Sequence, residues 1–244
     1  MYLEKYLNEV VDWLRMTVKN TGVSGLVVGI SGGIDSAVVA ALAKKAFPDN
    51  YLTVWMPCNS SVLDENCKNE LIEKLDLNCI DVNLTNTFET IKLALNASGV
   101  EQSNLALANS KARLRMTTLY SIAQTKNYLV LGTDNADEWH IGYFTKFGDG
   151  GVDLLPIIHL LKREVKEAAK ILGVPESIIN RAPTASLWEN QTDEEEIGFG
   201  YDLIDDYLLG KPVPMDVEER IKYLHKISSH KRTSAPVPPT LKRP

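Results

Sequence analysis

One stretch constrains the fold more than any other: GLVVGISGGIDSAVVAALAKKAF, residues 25–47. Gly25 to Ile30 is a short apolar run rich in β-branched residues, which predicts a buried strand. Ser36 to Phe47 is alanine-rich and predicts a helix, stopped by Pro48-Asp49-Asn50. A strand that passes directly into a helix through a glycine turn begins a βαβ unit, and the alternation continues. Strands are expected at 52–56, 79–82 and 128–131, and helices at 63–75, 88–95 and 105–126. An amphipathic helix at 2–19, with Leu3, Tyr6, Leu7, Val10, Val11, Leu14 and Val18 on one stripe, precedes them. This is the pattern of an α/β fold, a doubly wound parallel sheet with helices on both faces (Rossmann-like). From Gly132 the pattern changes to aperiodic loops at 133–156 and 182–196, interleaved with helices at 160–172, 198–209 and 217–227. Structureless loops of that length inside a compact fold are usually working parts.

The turn itself is chemically specific. Ser31, Gly32 and Gly33 can turn tightly and leave backbone N–H groups outward, while the next helix points its positive end at the same spot. That combination suits phosphate. No Lys follows in the Gly-Lys-Ser/Thr form of a Walker A loop, and the GxGxxG spacing of a dinucleotide fingerprint is absent. Asp35 would repel a phosphate held there unless a cation lay between them, which points to Mg²⁺. The plainer reading is a βα turn in which Asp35 only favours the helix N-terminus.

Composition removes several function classes. Lys and Arg total 26 against 32 Asp and Glu, a formal charge of −6, which disfavours a general nucleic-acid or anionic-membrane binder. No apolar run approaches the ~20 residues of a membrane helix. Glu4, Lys5 and Glu9 stand where a signal peptide would carry its apolar core. Cys58, Cys67 and Cys79 form no CxxC, so a reducing, cytoplasmic compartment is expected.

The SGGIDS element at 31–36 resembles the pyrophosphate loop of the ATP pyrophosphatase superfamily, which cleaves ATP between its α and β phosphates. The segment GTDNADEWHIGYFTKFGDGGVDLLP at 132–156 is similar, nearly residue for residue, to the signature of the ammonia-dependent NAD synthetases. KARLRM at 111–116, RAPTA at 181–185, YDLIDDYL at 201–208 and HKR at 230–232 extend the resemblance over most of the chain. Ala136 and the pair Trp139-His140 depart from the commonest family text, but Glu138 is intact.

The resemblance implies ATP contacts from the loop Gly29, Ile30, Ser31, Gly32, Gly33, Ile34, Asp35 and Ser36, with Thr133 and Thr184 contributing hydroxyls and Lys162 a charge for phosphate. It implies Mg²⁺ on Asp35 and Glu138, and deamido-NAD on Arg113, Lys146, Asp153, His230 and Lys231. Asp35, Lys146 and Lys162 are the residues to which it assigns catalysis. The implied reaction is adenylation of the nicotinate carboxylate of deamido-NAD by ATP, then attack by ammonia to release AMP and leave NAD. The substrates ATP, deamido-NAD and ammonia, a homodimer, and a single synthetase domain over 1–244 without a glutaminase domain complete the expectation. No nucleic-acid or membrane partner is expected.

Taken alone, each residue has a bland alternative. Glu138 could be a solvated loop acid, Arg113 an exposed helix charge, and His230 a solvent-facing tail residue. Lys162 stands in a helix first turn, where a cation opposes the macrodipole, and that misplacement favours a role in a site. His140 and His159 have no partner at metal-ligand spacing and read as structural, and residues 188–194 as part of a lid. A tRNA-modifying enzyme with the same loop, or a nucleotide-binding regulator without turnover, are the competing classes.

Overall fold

The structure is a computed structural model, and it describes residues 2–181 and 193–241. The first half runs α1 (Tyr2–Thr21), β1 (Gly25–Ile30), α2 (Ile34–Ala46), β2 (Tyr51–Trp55), α3 (Val62–Leu75), β3 (Cys79–Asp81), α4 (Thr85–Ala97), α5 (Asn104–Lys126) and β4 (Tyr128–Leu131). Short helices follow: α6 (Ala136–Ile141), α7 (Lys162–Ile171), α8 (Glu176–Ile179) and α9 (Asp193–Ile197). Two more, α10 (Tyr201–Leu208) and α11 (Met215–Ile227), lead to a single 3₁₀ turn at Ser229–Lys231.

The strands form one parallel sheet in the order β3-β2-β1-β4, with Val28 paired to Thr53 on one side and to Leu131 on the other. β1 and β2 are buried almost throughout, because helices cover both faces and leave neither to water. On one face Leu7, Leu14 and Val18 of α1 pack with Val38 and Leu42 of α2 and Val165 of α7. On the other, Phe88 of α4 and Leu119 and Ala123 of α5 pack against Val27, Val54 and Val130. A third cluster, Ile141, Ile204 and Ile221, joins α6, α10 and α11 beside the carboxyl ends of the strands. The chain therefore leaves β1 toward β2 on one side and β4 on the other, and the crevice at that switch is where an open parallel sheet binds ligands.

Where the reading differs from the structure, the reasons are local. The 133–156 stretch contains α6, whose six residues are too few to show a period. Its signal was instead the Asn135-x-x-Glu138 spacing of a capping box, and both reciprocal bonds are made. α7 begins at Lys162, not 160, because carboxylates from Asp137 and Asp205 take the Lys162 amide. α8 and α9, of four and five residues, are likewise too short to show a period, and α9 begins inside the aperiodic 182–196 stretch. Thr184 and most of the expected lid lie outside the described residues.

Candidate functional site

A cavity of about 560 Å³ opens at the carboxyl ends of β1, β2 and β4, a size suited to a nucleotide. Gly29 to Ser31, Gly33 to Ser36, Met56, Thr133, Glu138 and Lys162 all line it. Sequence positions 29 to 162 are thus drawn to one wall by the crossover order of the sheet.

The glycine loop has the geometry its sequence requires. Gly32 has φ +80°, and a Cβ there would lie 2.6 Å from the Asp64 carbonyl oxygen. Asp64 cannot yield: it closes the capping box of α3 with Ser61 and receives Arg181 Nη2 at 2.6 Å. Arg181 also reaches the Gly32 carbonyl at 3.5 Å, so the loop is tied to the residue just beyond α8. Burial alone would raise the Asp64 carboxyl, but Arg181 and Ser61 hold it below the usual carboxylate range. Within the loop, Ser31 Oγ accepts from Gly33 N–H and Ser36 Oγ accepts from Ser31 N–H, both at 3.2 Å. Gly33 caps α2 without a side chain, leaving the first-turn amides facing the cavity for an anion. Gly32→Ala is expected to lower stability by about 1–3 kcal/mol through strain at positive φ and the clash with Asp64. Thermal unfolding of the variant measures it.

The charged centre lies beside this loop. Lys162 Nζ is 2.7 Å from Asp35 Oδ2 and 3.0 Å from Glu138 Oε1. Lys162 is 3% exposed, despite its position at the first residue of α7. Asn135 Nδ2 donates to Asp35 Oδ1 at 2.8 Å, and the Tyr201 hydroxyl donates to Glu138 Oε1 at 3.3 Å. Burial pushes the Glu138 carboxyl up to about 7, with Lys162 pulling it down and Asp35 pushing it further up. Burial opposes the Lys162 charge as well, but Asp35 and Glu138 more than offset it and hold the ammonium above its ordinary range. Asp35 and Glu138 are hard oxygen donors already arranged around one cation, so they fit Mg²⁺.

Several members of this network escaped the sequence reading. Asn135, Tyr201, Tyr143, Asp193, Arg181 and Asp64 act through contacts between elements far apart in sequence. Asn135 was legible from its capping-box spacing, and Tyr201 stood within the YDLIDDYL motif without a role. Asp134 and Asp137 also line or support the centre and are fully buried, each with one carboxylate oxygen lacking a partner among the described residues.

Burial, and then the nearby Asp205 charge, push the Asp137 carboxyl up to about 8. Between about pH 4 and pH 8 the folded chain keeps a proton there that the unfolded chain has released, so this group's contribution falls as pH rises. Asp137→Asn, which cannot ionise, is expected to lose this decline. Melting temperatures of both proteins from pH 5 to 8.5 test it: parallel curves would refute the shift.

The residues assigned to the dinucleotide are placed differently. Lys231 lines the cavity, its ammonium bonded to the Gly142 and Phe144 carbonyls at 2.7 Å each. Arg113 and His230, both exposed, and the half-buried Lys146 form one cluster outside the cavity wall: Arg113 bonds the Lys146 carbonyl at 3.3 Å, and Lys146 Nζ bonds the His230 carbonyl. Asp153 makes its bonds at a different place. Its oxygens accept from Tyr120 Oη at 3.0 Å and Val130 N at 2.8 Å, tying α5 to β4. His140 stacks on His225, with ring centroids 4.2 Å apart, as a structural contact.

The sequence pattern of the NAD synthase family matches residues 6–235. The NH(3)-dependent NAD(+) synthetase of Mesoplasma florum is 61% identical over 243 residues, covering all of both chains. Among solved structures, the NMN synthetase from Francisella tularensis superposes with a TM-score of 0.93 at 41% identity, over 98% of this chain and 99% of that one. The NH3-dependent NAD synthetase from Campylobacter jejuni superposes with a TM-score of 0.79 at 28% identity, over 97% and 99%. Strand order, glycine loop and the Asp35–Lys162–Glu138 centre thus occur in a chain that belongs to the NAD synthase family.

Proposed function

We propose that this enzyme amidates the nicotinate carboxylate of deamido-NAD with ammonia, consuming ATP and releasing AMP and pyrophosphate, the last step in making NAD. The observation that carries the reading is the Asp35–Lys162–Glu138 centre at the foot of a glycine loop built for phosphate. A carboxylate resists attack by ammonia until one oxygen becomes a good leaving group, and transfer of AMP to that oxygen supplies it. The protein's part is positioning and charge neutralisation, with no side chain acting as a nucleophile.

In this reading the Gly29–Ser36 loop, Thr133 and Thr184 hold ATP, and Lys162 balances phosphate charge. Asp35 and Glu138 hold Mg²⁺, which neutralises phosphate charge when bound. Lys231 at the cavity wall and the Arg113–Lys146–His230 cluster bind the dinucleotide, whose contact surface then runs from the cavity onto the protein exterior. Asp153, which also holds α5 to β4, belongs to the same dinucleotide set. Ammonia as the direct donor follows the NH(3)-dependent relative that aligns end to end. The working form is a cytoplasmic homodimer, the compartment supported by three free cysteines.

The test is incubation with ATP, Mg²⁺, deamido-NAD and ammonium. AMP, pyrophosphate and NAD are expected in equal amounts, with no AMP when the dinucleotide is omitted. AMP released without it, or no NAD at all, overturns the reading. A second reading has its own observation, the TM-score of 0.93 to a protein named for making NMN. Nicotinate mononucleotide carries the same carboxylate, so the ratio of kcat/KM for the two acids in one assay decides which is the substrate.

A further inference from the structure

Lys162 binds the two oxygens that a metal ion would need. Its ammonium is hydrogen-bonded to Asp35 Oδ2 at 2.7 Å and Glu138 Oε1 at 3.0 Å. It lies 4.7 Å from the centroid of the Tyr201 ring, which adds a cation–π contact. Lys162 is 3% exposed, and its two partners are 17% and 13% exposed, so little water screens the trio. Among the described residues, no group of three or more His, Cys, Asp and Glu side chains is arranged to hold a metal ion. A dication arriving alone must therefore displace a desolvated, doubly bonded ammonium and gains only two carboxylates in exchange.

We infer that Lys162 competes with the divalent metal for Asp35 and Glu138, so that these carboxylates take up metal only together with ATP. The exchange needs phosphate for two reasons. Phosphate oxygens at the glycine loop offer the Lys162 ammonium a new anionic partner as it leaves the carboxylates. They also give the metal the further hard ligands that two carboxylates lack. The tether makes the competition intramolecular: α7 fixes the lysine at high effective concentration, while a free ion must come from solution. The consequence is ordered assembly, in which the protein does not hold a metal at this centre before the nucleotide that needs it. This rests on the assignment of metal to Asp35 and Glu138.

Mn²⁺ binding to the full chain, followed by loss of the free-ion paramagnetic resonance signal, tests it. Without nucleotide, Lys162→Met and Lys162→Gln are expected to bind Mn²⁺ at least about tenfold more tightly than the wild type, a difference of about 1.4 kcal/mol. Equal or weaker binding by the variants overturns the inference. Comparison of the wild type with Glu138→Gln gives a second measurement that does not depend on the folding of the Lys162 variants. Mn²⁺ binding should be insensitive to Glu138→Gln without nucleotide, and sensitive to it once ATP is added. Glu138-dependent Mn²⁺ binding without ATP overturns the competition but leaves the metal assignment standing. No Glu138-dependent binding even with ATP overturns both.

Discussion

Asp35→Ala and Glu138→Ala are each expected to lower the rate of AMP and NAD formation by about 10²–10³-fold or more, the scale seen when one preorganised charge-stabilising group is removed. The loss is expected in kcat as well as KM, because neutralisation of phosphate charge matters most in the transition state. The fold should survive both changes, and the charge count says why. Two carboxylates around one ammonium leave one surplus negative charge in a buried centre. Removing either carboxylate leaves Lys162 with one partner and a balanced pair, avoiding the unpaired buried charge that makes such substitutions costly. Melting temperatures within a few degrees of wild type, together with the kinetic loss, are the expected result. Near-normal AMP formation by either variant would show that the metal assignment is wrong.

Asp205→Ala is expected to have the largest effect on stability, about 2–3 kcal/mol, the cost of taking a buried acceptor from the amides that begin α7 and from Arg163, which keeps Asp206 as a partner. Asp205 is completely buried. It accepts from the Lys162 amide at 3.0 Å, the Arg163 amide at 3.3 Å and Arg163 Nε at 2.5 Å. One side chain thus caps α7, shares Arg163 with Asp206 and fixes the residue that carries the central ammonium. Asp205→Asn keeps an acceptor for the cap but not the charge, so it should fall between alanine and wild type. Because α7 sets where Lys162 stands, NAD formation should decline in the same order. A denaturant midpoint for Asp205→Ala close to that of wild type, at unchanged slope, would refute this account.

Asp205 shows where sequence reading reaches its limit. Its motif, YDLIDDYL, was visible, but nothing in the motif says that Asp205 crosses to α7, 43 residues earlier. Asp64 and Arg181 present the same problem: a helix cap and a loop arginine, 117 residues apart, that together brace Gly32. Lys162 was legible because it breaks a local rule, a cation at a helix N-terminus, and broken rules gather at working sites. The residues proposed for the dinucleotide were legible only through the resemblance, and of them Lys231 alone lines the cavity, while Asp153 bonds α5 to β4.

Glu138 was marked only by the family resemblance; the sequence by itself determined the parallel α/β order, the tight glycine turn that leads to Asp35, and the misplaced cation Lys162. Those features rest on period, turn chemistry and residue type within a few positions of one another, which a chain carries before it folds. Only the tertiary structure decided that Lys162 stands between Asp35 and Glu138, and that Asp153 braces α5 while Lys231 faces the cavity. Distances across 127 residues depend on crossover order and packing. Partnership among charges depends on burial, since a carboxylate and an ammonium bind strongly only where packing has removed the water between them.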